Sequence, residues 1–178
     1  MSLSELETAI PGLRQRRLPE SRRIDWAHIE GRLGVRLPSD FVELSTFHES
    51  VVLDDFLSLL IPVPGDEAGF VSAVQALLST LGDLRDSDMT DGHVPFPEPG
   101  GLLPWANSNE GDLLFWKTGD PDPDRWPVVV GDGISDWEET RETLTGFLTG
   151  LVRGTVESEI LPAGFPSADA VVTGWEAS

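Results

Sequence analysis

GLLPWANSNEGDLLFWKTGDPDPDRWPVVVGD, residues 101–132, reads as three consecutive strands of one antiparallel sheet. Leu102, Leu103 and Trp105 make a short apolar run, Asn107 to Asp112 is dense in turn formers, and Leu113 to Trp116 is the next run. That spacing is a hairpin with a loop, too long for a two-residue turn. Thr118 to Arg125 interrupts with prolines and aspartates, and Trp126-Pro127-Val128-Val129-Val130 resumes with β-branched residues suited to a pleated surface. Three of the six tryptophans fall here. Each ring buries on the order of 150 to 250 Å2, so this sheet is the expected nucleus of the core.

On the N-terminal side, Ser4 to Ile10 reads as a short helix ended by Pro11-Gly12, the Arg-rich segment after it as a linker or exposed turn, and the N-terminal arm as solvated and partly frayed. Asp25 is a plausible N-cap for a helix with Trp26, Ile29 and Leu33 on one side and Gly34 as its stop. Pro38-Ser39-Asp40 opens another, with Phe41, Leu44 and Phe47 inward. Val51 to Pro64 is apolar enough for one or two strands around Asp54-Asp55, with Pro62 and Pro64 marking an edge or an exit. Phe70, Ala73, Val74, Leu77, Leu78 and Leu81 fit a helical face, which predicts a helix over Gly69 to Leu84. Asp86 to Gly100 lacks periodicity and reads as a surface loop.

Beyond the three strands, Asp136 is read as the cap of a closing helix lined by Leu144, Phe147, Leu148, Leu151 and Val152 and stopped by Gly154. The remainder, with Pro162, Phe165, Pro166 and Trp175, reads as an irregular strap or tail. Helices first, strands in the middle and a closing helix predict an α+β fold: an antiparallel central sheet with N-terminal helices, one middle helix and a C-terminal helix packed on it. The expected division is an arm or short helix over 1–23, an α+β domain over 24–154 and a strap or tail over 155–178.

The chain has 178 residues, no cysteine and a formal charge of -19. Thiolate catalysis, iron–sulfur clusters and Cys-type zinc sites are thereby excluded. No signal-peptide pattern or membrane-span length is visible, so a cytoplasmic protein is expected. The charge is lopsided. Seven of the twelve basic residues (Arg14, Arg16, Arg17, Arg22, Arg23, Arg32, Arg36) precede Leu37, whereas Asp86 to Glu139 holds thirteen acidic residues against Lys117 and Arg125. That half repels phosphate backbones and attracts a basic partner, which sets nucleic-acid binding aside.

Asp120, Asp122 and Asp124 alternate as calcium ligands do, but prolines lie between them, Arg125 stands where an EF-hand needs glycine and Gly131 where it needs glutamate. They read as a rigid acidic loop. His28, His48 and His93 have no zinc spacing, and no nucleophile elbow or phosphate loop is present. Trp26, Trp105 and Trp116 read as core, with Trp126 and Trp137 flanking the acidic loop as candidate half-exposed anchors.

Trp26, Ile29, Glu30, Leu33, Gly34, Leu37-Pro38, Asp40-Phe41, Gly101 to Ala106, Gly111-Asp112, Leu114-Phe115-Trp116, Trp126 to Val129 and Phe147-Leu148 occur in an order that resembles the SUKH superfamily. That group holds the yeast Knr-type cell-wall assembly regulators, bacterial Syd and many bacterial immunity proteins. The resemblance covers about Ile24 to Gly154. It departs where the family often carries a glycine turn after the LP-x-D helix and this chain has His48-Glu49-Ser50. The long flanks of the yeast members are missing, so the chain looks more like the immunity branch, whose members bind and neutralise a cognate toxin, frequently a nuclease. The resemblance implies no catalytic residue, no metal and no cofactor.

The function expected is therefore a monomeric immunity protein that binds a basic toxin domain and occludes its active surface, with contacts at Asp120, Asp122, Asp124, Trp126, Asp132 and Asp136. A scaffold or regulator of an endogenous protein is the alternative, and an enzyme with an acidic metal site a third class.

Overall fold

In the computed structural model, which describes residues 1–174, the three apolar runs form β3 (Leu102–Ser108), β4 (Leu113–Lys117) and β5 (Val128–Gly131), adjacent and antiparallel. They sit inside a larger sheet. β1 (Val52–Leu53), β2 (Leu57–Leu59), β6 (Trp137–Glu139) and β7 (Val172–Thr173) complete the order β6-β5-β4-β3-β2-β1-β7. The first six strands make an antiparallel meander, and β7 returns from the C-terminal side to pair with β1. With six helices, the fold is α+β.

Strand alternation gives the sheet two faces, and both are covered. Leu103, Trp105, Leu114, Trp116, Val128 and Val130 point into the main core, and Leu102, Leu113, Phe115 and Val129 into a smaller one behind it. This double covering explains why β4 and β5 read as continuous apolar runs rather than alternating ones. Against the main face pack α1 (Leu3–Ala9), α3 (Trp26–Leu33), α4 (Ser39–Phe47) and α6 (Leu144–Arg153). The long α5 (Glu67–Asp86) serves both clusters: Phe70, Val71 and Val74 enter the main core, and Leu77 and Leu81 the smaller one. Phe41 is the aromatic hub, edge-on to Trp116 at 5.1 Å and to Trp26 at 6.2 Å and stacked on Phe70 at 6.2 Å.

Two helices are capped from a distance. The N-cap positions of α4 and α6, Pro38 and Thr143, supply no side-chain cap. Instead, Ser39 N–H donates to Asp124 Oδ1 at 2.6 Å, and Thr145 donates its N–H and its hydroxyl to Asp40 Oδ2, each at 3.0 Å. Orphan N–H groups at a helix start need such acceptors, so Asp124 and Asp40 tie three separate segments together. Arg22 does the same for a helix end, donating to the Ser45, His48 and Pro62 carbonyls at 3.0, 2.7 and 2.6 Å.

Three expectations need correction. The N-terminal arm is not frayed: Leu3, Leu6, Ile10 and Leu13 are at most 1% exposed, and Pro11, just past the end of α1, opens α2 (Pro11–Gln15). Proline at a first helical position loses no hydrogen bond, because that N–H has no intrahelical partner. Asp136 caps no helix. The segment after it pairs as β6, Gly131 opposite Trp137 and Val129 opposite Glu139, and α6 begins only at Leu144. Gly131 is required there, because a Cβ would lie 2.7 Å from the Trp137 ring. The C-terminal strap is partly strand. Asp54 and Asp55, at φ 53° and 51°, are the central residues of a turn closed by Phe56 N–H on the Leu53 carbonyl at 3.0 Å, and the Asp54 carboxylate accepts from Ser167 N–H at 3.2 Å and Val171 N–H at 2.9 Å, which brings β7 alongside β1. Trp175 lies outside the described residues. Among the described residues, no helix is long and apolar enough to cross a membrane.

Candidate partner-binding surface

In a meander, alternate hairpins emerge at the same end of the sheet. The pairs Leu53–Leu57, Leu57–Ser108, Leu113–Gly131 and Gly131–Trp137 form one row across it, so the β1–β2, β3–β4 and β5–β6 turns share that end. The pairs Leu102–Lys117 and Trp116–Val128 mark the opposite end, where the β4–β5 loop carries Asp120, Asp122 and Asp124. The six residues expected in one patch are therefore divided. Asp132 and Asp136 lie at the hairpin end, and the three alternating aspartates lie at the other end, with β5 between them. Nearness in sequence suggested one patch, and β5 carries the chain from one end to the other.

At the β4–β5 end the carboxylates are occupied with the loop itself. Asp120 Oδ1 accepts from Asp122 N–H at 2.8 Å, Asp122 Oδ1 from Asp124 N–H at 3.1 Å, and Asp124 Oδ1 caps α4. The single 3-10 turn Pro123–Arg125 follows from this geometry. Trp126 is no exposed anchor. It is 3% exposed, its Nε1–H donates to the Asp120 carbonyl at 2.7 Å, and its ring belongs to the main core. A side chain followed by Pro127 and three buried valines is drawn inward with its strand.

The hairpin end is organised differently. Asn109 N–H donates to the Phe56 carbonyl and its Nδ2 to the Asp55 carbonyl, both at 2.9 Å, which locks the β1–β2 turn to the β3–β4 tip. Within that tip, Ser108 Oγ–H donates to Asp112 Oδ2 at 2.6 Å, and Asp112 is buried. Asp132 Oδ1 accepts from the N–H groups of Ile134, Ser135 and Asp136 at 2.7, 2.8 and 3.0 Å. Burial pushes the Asp132 carboxyl up, but these N–H groups outweigh it and hold it below the ordinary Asp value. The rigid turn leaves Asp136 exposed and Ile134 63% exposed. Asp55 and Glu110 stand exposed on the neighbouring turns. Sequence reasoning missed these last two because their strand order was not legible.

Behind the smaller core, Trp137 is half-buried, its Nε1–H donating to the Met89 carbonyl at 3.0 Å and its ring 5.1 Å from His93. The 86–100 loop, expected on the surface, thus partly covers that face. Lys117 Nζ donates to both Glu139 carboxylate oxygens at 2.8 and 2.9 Å, which, ahead of the opposing effect of burial, holds Glu139 below the usual range. His93, with a side chain 9% exposed, is held below the ordinary histidine value chiefly by burial; Glu139 at 3.6 Å and Asp91 oppose this, and Lys117 adds to it.

Folding therefore favours the neutral His93 ring. Its contribution to stability is present above about pH 6.5 and is lost as pH falls through the lowered folded value. Melting temperatures measured from pH 8 to 5 are expected to fall more steeply for the native chain than for His93→Gln. Equal slopes would show that His93 does not set this dependence.

Among the described residues, no group of three or more His, Asp or Glu side chains is placed to hold a metal ion. The grooves are open to solvent, and the one at the hairpin end is lined by Asp132, Asp136, Trp137, Glu138, Glu159 and Ile160. No family model matches this chain, and no curated protein or solved structure matches it.

Proposed function

We propose that this chain is a SUKH-like immunity protein of the cytoplasm that binds a basic toxin domain, of nuclease type, through the hairpin end of its sheet. One observation carries the choice of surface: exposed carboxylates from three separate turns, Asp55, Glu110 and Asp136, stand at one end of the sheet, with the exposed Ile134 on the same turn as Asp136. The turns are fixed by their own hydrogen bonds, so little conformational entropy is lost on docking. A nuclease is cationic where it meets phosphate. An acidic, preorganised surface competes for that region, and long-range attraction speeds the encounter. The mechanism is occlusion, with no bond made or broken.

The test is co-expression with the product of the gene beside its own. The expected result is a one-to-one complex in which nuclease activity is suppressed. Asp55→Asn, Glu110→Gln and Asp136→Asn together are expected to weaken it by about tenfold or more at low salt, mainly through slower association, and by less at high salt. No complex, or one indifferent to these changes, overturns the reading.

A further inference from the structure

β6 is the last strand at its edge of the sheet, so one side of its backbone faces away from β5. Asp132 N–H donates to the Asp136 carbonyl at 3.1 Å, Thr140 N–H to the Val128 carbonyl at 3.0 Å, and Glu138 stands opposite Val130 between them. These three pairs set the inward-bonding residues. By antiparallel alternation, the N–H and C=O groups of Trp137 and Glu139 point outward. Such a row is a template for another strand, and soluble proteins usually blunt it with lysine, proline or a covering segment.

Here it is lined with acid. Beside the strand runs a groove of about 520 Å3, with the half-buried Trp137 and Ile160 as its apolar lining and Asp132, Asp136 and Glu159 on its walls. Glu138 is committed to the far wall, accepting from Ser158 Oγ–H at 2.6 Å, Glu159 N–H at 2.6 Å and Ile160 N–H at 3.0 Å. Of the cations along this edge, Lys117 is bound to Glu139, and Arg141 lies beyond the strand end. A second acidic surface, or a second copy of this edge, is repelled.

We propose that the β6 edge and its groove are the docking site of a basic, extended segment of a partner, which pairs with Trp137 and Glu139 as a further strand and lays its cations against the groove carboxylates. This rests on the protein-binding reading above and assigns its contact. Main-chain pairing supplies affinity without sequence demand, and the alternating carboxylates and apolar lining select alternating cationic and aliphatic side chains.

The experiment is a titration of the full 15N-labelled chain at low salt with an acetylated, amidated nonapeptide of alternating lysine and valine. Saturable shifts at the Trp137 and Glu139 amides are expected, weakening as salt is raised. Glu139→Gln is expected to retain binding, whereas Glu139→Pro removes an outward N–H that an edge strand can lose while folded and is expected to weaken binding by about tenfold or more. Unchanged melting of the proline variant checks that it folds. Shifts confined to the 118–127 loop, or equal binding by the folded proline variant, overturn the proposal. A neighbouring gene product that binds Glu139→Pro as tightly as the native chain overturns the edge and leaves the immunity reading standing. No complex with the native chain, while the peptide still shifts Trp137 and Glu139, overturns the immunity reading and leaves the edge.

Discussion

Trp116→Ala is expected to lower the unfolding free energy by about 3 to 5 kcal/mol, a large part of the roughly 5 to 15 kcal/mol that holds such a chain folded. Trp116 is 1% exposed, meets Phe41 edge-on at 5.1 Å and lies 6.2 Å from Trp105, so its removal opens a cavity where sheet and helices meet. Trp116→Phe is expected to behave quite differently. Trp116 Nε1 is buried and finds no acceptor among the described residues, which costs about 1 to 3 kcal/mol relative to a satisfied group. Phenylalanine removes that penalty while opening a smaller cavity, at about 24 cal/mol per Å3 of residual volume. The two changes offset, and the net effect is expected within about 1 kcal/mol of the native chain. Urea denaturation with an unchanged slope checks both variants. A phenylalanine variant as damaged as the alanine one would mean that the indole N–H has a buried partner, such as a water.

That tryptophan shows what kind of information the sequence carried. Apolar periodicity located β3, β4, β5, α3 and α5, because each places most of its large side chains in a core and burial is a local property of the pattern. Gly34 and Gly154 could be read as helix stops, and both adopt the left-handed conformation at φ 78° and 68°. What could not be read is what depends on distant partners. Asp40 and Asp124 look like surface acids until α6 and α4 arrive beside them. Trp137 gives β6 its place only because Gly131 leaves room for the ring across the strand pair. The residues expected to form one surface are divided for the same reason. Which aspartates stand together depends on strand order, and a short strand between two acidic loops is enough to separate them.

His48→Phe is expected to cost about 2 to 3 kcal/mol, somewhat below the about 3 to 5 kcal/mol for a buried ion stripped of its only partner. His48 is 1% exposed, with Nδ1 3.1 Å from the Leu44 carbonyl and Nε2 3.2 Å from the Leu13 carbonyl, so it fastens α2 to the end of α4. Both ring nitrogens therefore face acceptors. Which nitrogen carries the N–H depends on the tautomer, and each stands within reach of one of these carbonyls. Glu7 Oε1 lies 3.5 Å from Nε2, and Glu7 is itself only 6% exposed and bound by Arg17 Nη1 at 2.9 Å. Phenylalanine leaves Glu7 to Arg17 alone, but the two carbonyls keep backbone donors, Arg16 N–H and His48 N–H, which limits the loss. If Glu7 and His48 act together, Glu7→Gln and His48→Phe are expected to cost less combined than the sum of their separate costs, by about 1 kcal/mol or more. Additive costs would mean that Glu7 is balanced by Arg17 alone.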